Sequence, residues 1–351
     1  MPVSGHFKGR DTVRWGIIGC GDVTEVKSGP GFRKAAGSEL VAVMRRNGAL
    51  AADYARRHGV PRWYDSAEAL ISDPQVDAVY VATPPGSHED YALAAAAAGK
   101  PAYVEKPMAR HGPECDRMVE AFARAGLPLF VAYYRRRLPC FMKSGELVAS
   151  GAIGRLTGFT YRLAYPQHLK GPIWRTDAAE AGAGHFLDVG SHALDILDFL
   201  LGPLQDVSGA ASNVASDYAV EDCVALTARA AGALGSMSWN FAGEVRDDTM
   251  RLTGTEGEIT FPMFTSAPVR LENASGVQLF DLPYPPHVAQ PLIQSVVDDL
   301  LGRGECPSTG ESARRTSRVM DRVLDAYYGG RGDAFWSRPQ TWPGRRAADG
   351  A

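Results

Sequence analysis

Several features that mark secreted, membrane-bound or nucleic-acid-binding proteins are scarce in this chain. Only five cysteines occur in 351 residues, Cys20, Cys115, Cys140, Cys223 and Cys306, and no two form a CxxC pair. An odd, scattered set argues against a disulfide scaffold or a zinc module and for a reduced, cytoplasmic setting. No run of about 18 apolar residues is present, so no membrane partner is expected. Residues 1–12 are polar, carry two glycines and lack the apolar stretch of a signal peptide, so export is not expected. Thirty-seven basic against forty acidic residues leave a net charge of −3. That balance has no basic excess to track nucleic-acid phosphates, and no nucleic-acid partner is expected. There is no G-x-S-x-G elbow, which argues against a serine hydrolase. Internal repeats and low-complexity linkers are also missing.

What is present is enough chain for two domains, with ordinary soluble composition: 45% hydrophobic and 22% charged. Up to about residue 137, short apolar runs (Val13–Gly19, Glu39–Met44, Val76–Ala82, Ala102–Glu105, Pro128–Tyr133) alternate with helix-compatible segments. Those segments, Leu50–Arg57, Ser87–Ala98 and Pro113–Ala125, are each followed by a glycine at a C-cap position. The runs are nearly continuous hydrophobics, as parallel strands buried on both faces should be. Beyond Pro139 one helix, Phe141–Ser150, precedes strand-like runs at Leu156–Leu163, Val207–Val214, Val220–Ala230, Leu234–Phe241, Met250–Thr253, Glu258–Phe261, Val269–Glu272 and Val277–Leu282. Two helices, Val288–Leu301 and Glu311–Tyr328, close the pattern. The expected fold class is α/β: an N-terminal Rossmann doubly wound parallel sheet plus a C-terminal α/β domain with a large open, mainly antiparallel sheet. The expected boundaries are a disordered N-terminus over 1–12, a dinucleotide-binding domain over 13–137, a substrate and oligomerisation domain over 138–344, and a tail over 345–351.

The first strand runs into Gly19-Cys20-Gly21-Asp22-Val23-Thr24. Gly19 permits a tight turn, and Gly21 lets backbone approach a pyrophosphate at the following helix start, with Asp22 and Val23 in that first turn. A plain strand-to-helix turn is the alternative, since the third fingerprint position, usually Gly or Ala, is Thr24. Ser28-Gly29-Pro30-Gly31 also breaks the expected helix after about one turn. After the second strand the chain reads Met44-Arg45-Arg46-Asn47. An NAD site usually places an acidic residue there, on the ribose hydroxyls. Two guanidiniums and no carboxylate suit a 2′-phosphate instead. NADP(H) is therefore the preferred cofactor, with NAD(H) possible. A solvated basic turn is the alternative.

Three further segments carry a family resemblance: Thr83-Pro84-Pro85-Gly86-Ser87-His88, Glu105-Lys106-Pro107, and Ala181 to Asp195 with Asp188 and His192 four apart. In this order they resemble the glucose–fructose oxidoreductase, inositol dehydrogenase and rhizopine-catabolism family (Gfo/Idh/MocA) over nearly the whole chain. The resemblance implies NAD(P)-dependent oxidation or reduction of sugars, cyclitols and related polyols. It implies Lys106 as catalytic lysine with Asp188 and His192 as partners. It implies Thr83, Pro84, His88 and Glu105 along the cofactor, reached also by Trp174 and Arg175, and Tyr134 and Arg136 along the substrate. Ala183 departs from the usual middle glycine of its triplet.

The chemistry agrees with the residue types. Oxidising a secondary alcohol needs a base for the hydroxyl proton, and histidine suits this near neutral pH. A lysine ammonium can stabilise developing charge on the reacting oxygen. On a helix, Asp188 and His192 share a face, with Asp195 and Asp198 at the next turns. A partly buried histidine bonded to Asp188 is the alternative for His192. His185 could line the substrate pocket or sit on the surface. Asp188, His192 and His185 lack a fourth ligand at diagnostic spacing, and no metal is expected. Arg135-Arg136-Arg137 contains a solvated turn at Arg135 or Arg137. The expected partner is a sugar-like small molecule, and the expected assembly a homodimer or homotetramer. Rival functions are a nicotinamide-retaining glycoside hydrolase or epimerase and a non-catalytic NADP-binding sensor.

Overall fold

The structure, a computed structural model, describes residues 5–166, 173–332 and 334–346. The chain divides into two units. One comprises Met1–Ala109, Glu114–Arg137 and Pro285–Arg314; the other comprises Arg110–Pro113, Leu138–Tyr284 and Arg315–Ala351. The chain passes from the first unit to the second at Arg137/Leu138. The return of Pro285–Arg314 to the first unit corrects the expected assignment of all of 138–344 to the second.

The strands of the first unit are β1 (Val13–Ile18), β2 (Ser38–Met44), β3 (Arg62–Tyr64), β4 (Ala78–Val81), β5 (Ala102–Val104) and β6 (Leu129–Val131), all but β3 formed by the apolar runs. They pair in the order β3-β2-β1-β4-β5-β6, every neighbour parallel. This is the strand order of a dinucleotide-binding fold, with a topological switch between β1 and β4. Alternate side chains go to opposite faces. Trp15, Ile17, Tyr80 and Tyr103 enter one core; Ile18, Val79, Val81 and Val104 enter the other. Burial on both faces is what removes a polar alternation from these strands. β3 is short and only partly buried, and its Arg-Trp-Tyr has no apolar run to announce it.

The sequence break at residues 28–31 appears as two short helices, α1 (Asp22–Val26) and α2 (Ser28–Lys34), in place of one. The helices α3 (Gly48–His58), α4 (Ala67–Ser72), α5 (His88–Ala97) and α6 (Gly112–Ala125) follow. Asn47 caps α3, its side-chain oxygen accepting the Leu50 amide at 3.2 Å. Residues 5–12, expected to be disordered, make turns instead. The Gly5 and Phe7 amides donate to the Asp299 and Leu300 carbonyls at 2.8 and 2.7 Å.

Among its described residues the second unit holds α7 (Pro139–Ala149), α8 (Ala178–Ala181) and α9 (Ser191–Leu201) with eight strands. These are β7 (Leu156–Ala164), β8 (Gln205–Ser212), β9 (Cys223–Ala230), β10 (Ala233–Asn240), β11 (Asp247–Gly254), β12 (Gly257–Phe261), β13 (Val269–Asn273) and β14 (Gly276–Phe280). They form one sheet in the order β14-β13-β12-β11-β7-β10-β9-β8, antiparallel except for the β7–β10 pair. Strict alternation along β9 and β10 buries one face only. That face takes the turn before α9, and α7: Phe186 meets Trp239 edge-on at 4.8 Å, and Phe141 meets Phe261 at 5.9 Å. The closing helices are α10 (Gln290–Leu300) and α11 (Gly310–Tyr328). Of the expected tail, residues 347–351 lie outside the described residues.

Candidate active site

The first unit's strands end level. Tyr64 pairs Met44, Met44 pairs Ile18, Ile18 pairs Val81, Val81 pairs Val104, and Val104 pairs Val131. The loops carrying Gly19, Arg45, Thr83, Lys106 and Tyr134 therefore all leave one sheet edge, the carboxyl edge at which open α/β sheets bind ligands.

Gly19 has φ of +91°, and a Cβ there would lie 2.7 Å from the Thr83 methyl. Both the backbone turn and the approach of the β4 loop demand glycine. At Gly21 a Cβ would meet nothing nearer than 4.0 Å, so its α-carbon faces open space. The Asp22 and Val23 amides open α1 with no acceptor inside the helix. This glycine turn fits a pyrophosphate. Thr24 fills the third fingerprint position without loss: it is fully buried, and its hydroxyl donates to the Gly21 carbonyl at 2.7 Å. Cys20, between the glycines, is buried, which pushes its thiol up to about 11. Arg45 and Arg46 are exposed beyond β2, with no ion-pair partner among the described residues.

The Thr83–His88 loop and the Glu105–Met108 loop are joined by one buried imidazole. His88 Nε2 lies 2.7 Å from the Thr83 carbonyl oxygen, and Nδ1 lies 3.1 Å from that of Pro107. Burial pushes this histidine down to about 4, with the carbonyls pulling the other way. His88 is thus a strut between two loops of the sheet's carboxyl edge, its ring enclosed. Glu105 accepts the Tyr80 hydroxyl at 2.5 Å. Enclosure pushes its carboxyl up, against the pull of that hydroxyl and of Lys106. Lys106 is half-buried, and the bond to Pro107 is cis. Pro84 is half-buried beside Thr83. Tyr134 is half-buried, while Arg136 is buried with Nη1 donating to the Pro307 carbonyl at 2.8 Å. Arg135, read as a candidate for a solvated turn, is buried and donates to the Tyr134 hydroxyl at 2.8 Å. Tyr134, directly adjacent, supplies both an acceptor and a ring for its guanidinium to lie over.

In the second unit Asp188 stands in a π-helical turn, Phe186–Gly190, that runs directly into α9. The sequence predicts a helix here; the wider turn takes its first residues, Asp188 among them, and such turns are frequent at functional sites. Arg175 Nε donates to Asp188 Oδ2 at 3.1 Å, and the same guanidinium lies 4.3 Å over the Trp174 ring. His192 is buried on the first turn of α9. Asp198 does not extend a polar stripe toward Asp188: Arg315 grips its carboxylate at 2.8 and 2.7 Å. His185 is buried beside Tyr218 and Phe241, ring centroids 6.2 and 5.5 Å away. Burial lowers its pKa, and the Arg175 guanidinium does so further, against the pull of Asp188. Its Nε2 has no hydrogen-bond partner among the described residues.

Sequence reasoning missed the support under this turn. Glu221 is fully buried; its carboxylate accepts the Gly184 amide at 3.0 Å and the Tyr328 hydroxyl at 2.5 Å. Arg331 donates to the Gly182 carbonyl at 2.9 Å. Neither residue sits in a motif, and both come from segments remote in sequence.

Comparison with known proteins follows the same lines. Residues 13–133 match the model of an oxidoreductase family with an NAD-binding Rossmann fold, and residues 141–260 match the GFO/IDH/MocA C-terminal domain. The chain is 36% identical over 314 residues to Oxidoreductase P35 of Formosa agariphila, spanning 88% of this chain and 97% of that one. It is 32% identical over 307 residues to the 1,5-anhydro-D-fructose reductase of Ensifer adhaerens, spanning 85% and 91%. Among solved structures, levoglucosan dehydrogenase in complex with NADH and levoglucosan superposes with a TM-score of 0.81 over 90% of this chain and 96% of that one, at 24% identity. That last likeness is one of fold.

Proposed function

The chain belongs to the Gfo/Idh/MocA oxidoreductase family, and on that premise we propose that it is an NADP(H)-preferring enzyme interconverting a secondary alcohol and a ketone on a sugar, cyclitol or related polyol. The observation that carries the reading is the level carboxyl edge of the first sheet, from which Gly19, Arg45, Thr83 and Lys106 all emerge. The anhydro-sugar ketone named for the Ensifer relative supports the substrate class.

When bound, the nicotinamide supplies or accepts the hydride. The chain's part is binding and proton handling. In this reading the Gly19–Val23 turn takes the pyrophosphate, and Arg45 and Arg46 take the 2′-phosphate. Thr83, Pro84, His88, Glu105, Trp174 and Arg175 shape the cofactor's surroundings, and Tyr134, Arg136 and His185 those of the substrate. Lys106 donates a hydrogen bond to the reacting oxygen and steadies its developing charge. His192 takes the hydroxyl proton during oxidation and returns it during reduction. Asp188, held by Arg175, fixes the orientation of that histidine.

The test is turnover of NADPH and NADH with 1,5-anhydro-D-fructose, and of the oxidised cofactors with anhydro-sugars, inositols, hexoses and dihydrodiols. We expect NADPH to be preferred. Replacing both Arg45 and Arg46 with Ala should raise the NADPH KM roughly 10- to 100-fold, the worth of one lost charge-assisted hydrogen bond or more, and barely move the NADH KM. Equal effects on both cofactors would remove the NADP assignment. Nicotinamide that co-purifies and is never consumed would point to the hydrolase or epimerase scheme instead.

A further inference from the structure

Beyond β12 the chain turns through Met263-Phe264-Thr265, and one carboxylate holds the whole turn. Asp248, on β11, accepts the amides of Met263 at 2.9 Å, Phe264 at 2.6 Å and Thr265 at 3.1 Å. It also accepts the Tyr161 hydroxyl at 3.1 Å, from the neighbouring strand β7. Four donors on one carboxylate tie the turn to β11 and to β7. They fix the direction in which the Phe264 side chain leaves the backbone. That direction is toward His192: the two rings meet edge-to-face, centroids 6.0 Å apart and planes inclined by 73°. His192 itself is only 4% exposed. Its backbone is set by α9, but α9 leaves the rotation of the imidazole about its side-chain bonds undetermined. An aromatic ring packed against a second ring restricts that rotation, because a T-shaped contact is lost when either ring turns.

We propose that Phe264, held by Asp248, is a second positioning residue for the His192 imidazole, acting on the ring face beside the orienting role read for Asp188. The inference rests on the reading of His192 as the proton-transfer group. Neither Asp248 nor Phe264 needs to touch substrate. Their role is to present one ring nitrogen of His192 in a constant direction, so that proton transfer does not wait for the ring to find it. Asp248 acts at one remove, through the turn.

The experiment uses the full chain with Phe264→Leu, Phe264→Tyr and Asp248→Asn. Imidazole resonances are followed by NMR in histidine-labelled protein, with the His192 signal assigned by its loss in His192→Gln. Steady-state kinetics use whichever panel compound the wild type turns over fastest. In Phe264→Leu the His192 resonances should move and kcat should fall roughly 10- to 100-fold with KM nearly unchanged, the scale of a misplaced reacting group. The solvent isotope effect on kcat should rise as proton transfer becomes slower. Phe264→Tyr keeps the ring and should restore most of both signals; Asp248→Asn should shift both in the direction of the leucine variant. A kcat for Phe264→Leu within about twofold of wild type, the least expected from losing an aromatic pair, overturns the proposal. So does a parallel loss of kcat, KM and thermal stability, which would mark a merely structural side chain. If the wild type turns over no compound of the panel, the functional reading fails by itself. In that case unmoved His192 resonances in Phe264→Leu would overturn the contact, and moved ones would uphold it.

Discussion

Lys106 and His192 arrive at the proposed chemistry by different physical routes. Lys106 follows a three-residue strand, Ala102–Val104, whose end is level with β4 and β6. His192 sits one residue into a helix that begins on a π-turn. If both serve one transition state, Lys106→Ala and His192→Ala should each lower kcat by roughly 10²- to 10⁴-fold. The double variant should lose less than the product of the two. Cofactor affinity, read by fluorescence titration, should change far less. Near-wild-type kcat in both single variants would refute the assignment. His88 makes a separate prediction. Its folded pKa, about 4, lies below the ordinary value of 6.5. The unfolded chain therefore takes up a proton first as pH falls. The stabilisation is complete above 6.5 and is lost between 6.5 and 4, in total roughly 3 kcal/mol. Urea midpoints at pH 7.5 and 5 should differ more in wild type than in His88→Gln. An equal difference in both would discount the buried imidazole as the cause.

At the scale of elements, the break between α1 and α2 has a packing cause. A Cβ on Gly29 would collide with the Thr24 carbonyl oxygen and the Tyr54 hydroxyl. Tyr54 donates to that same carbonyl at 2.9 Å, tying α3 to the dinucleotide turn. At Gly31 a Cβ would come 2.7 Å from the Ile293 side chain on α10. The glycines that shorten α1 thus let α2 lie against two other helices. Gly29→Ala should destabilise the protein by about 1–3 kcal/mol, the usual cost of overpacking, and weaken NADPH binding through Thr24. Denaturant titration with and without NADPH checks both; unchanged values would leave the break unexplained. This packing was not legible beforehand, because a Gly-Pro-Gly stretch reads locally as a helix stop. Its reason lies in Ile293, more than 250 residues away in sequence.

For the whole molecule, the eight-stranded sheet raises the question of assembly. Its register places Leu234, Val277 and Leu279 on the same face as Thr160, Arg162, Ser236, Arg251 and Arg270. The three apolar side chains are 53–65% exposed. A second copy covering this face would remove them from water, and closed twofold pairing is the commonest way for one surface to do so. We expect light scattering at micromolar concentration to give twice the 37.7 kDa of the chain. A monomer mass would contradict this. Replacing Leu234 with Lys should shift the population toward monomer.

Local pattern was enough for what depends on neighbours in sequence. Near-continuous hydrophobics announced five of the six parallel strands of the first sheet, and strand-like runs without intervening helices announced the strands of the second. The missing acid after β2 is the chemical ground of the proposed NADP(H) preference. Everything that hangs on distant partners was decided by tertiary packing. The return of Pro285–Arg314 to the first unit is one such case. The role of His88 as a strut, the Glu221 and Arg331 holds on the glycine turn, and the Asp248 grip on Phe264 are others. Glu221 meets Tyr328 and Arg331 meets Gly182 from more than 100 residues away in sequence, and no local periodicity records such a bond. The π-turn at Asp188 belongs with them. Its residues have ordinary helical periodicity, and only the packed structure selects the wider turn.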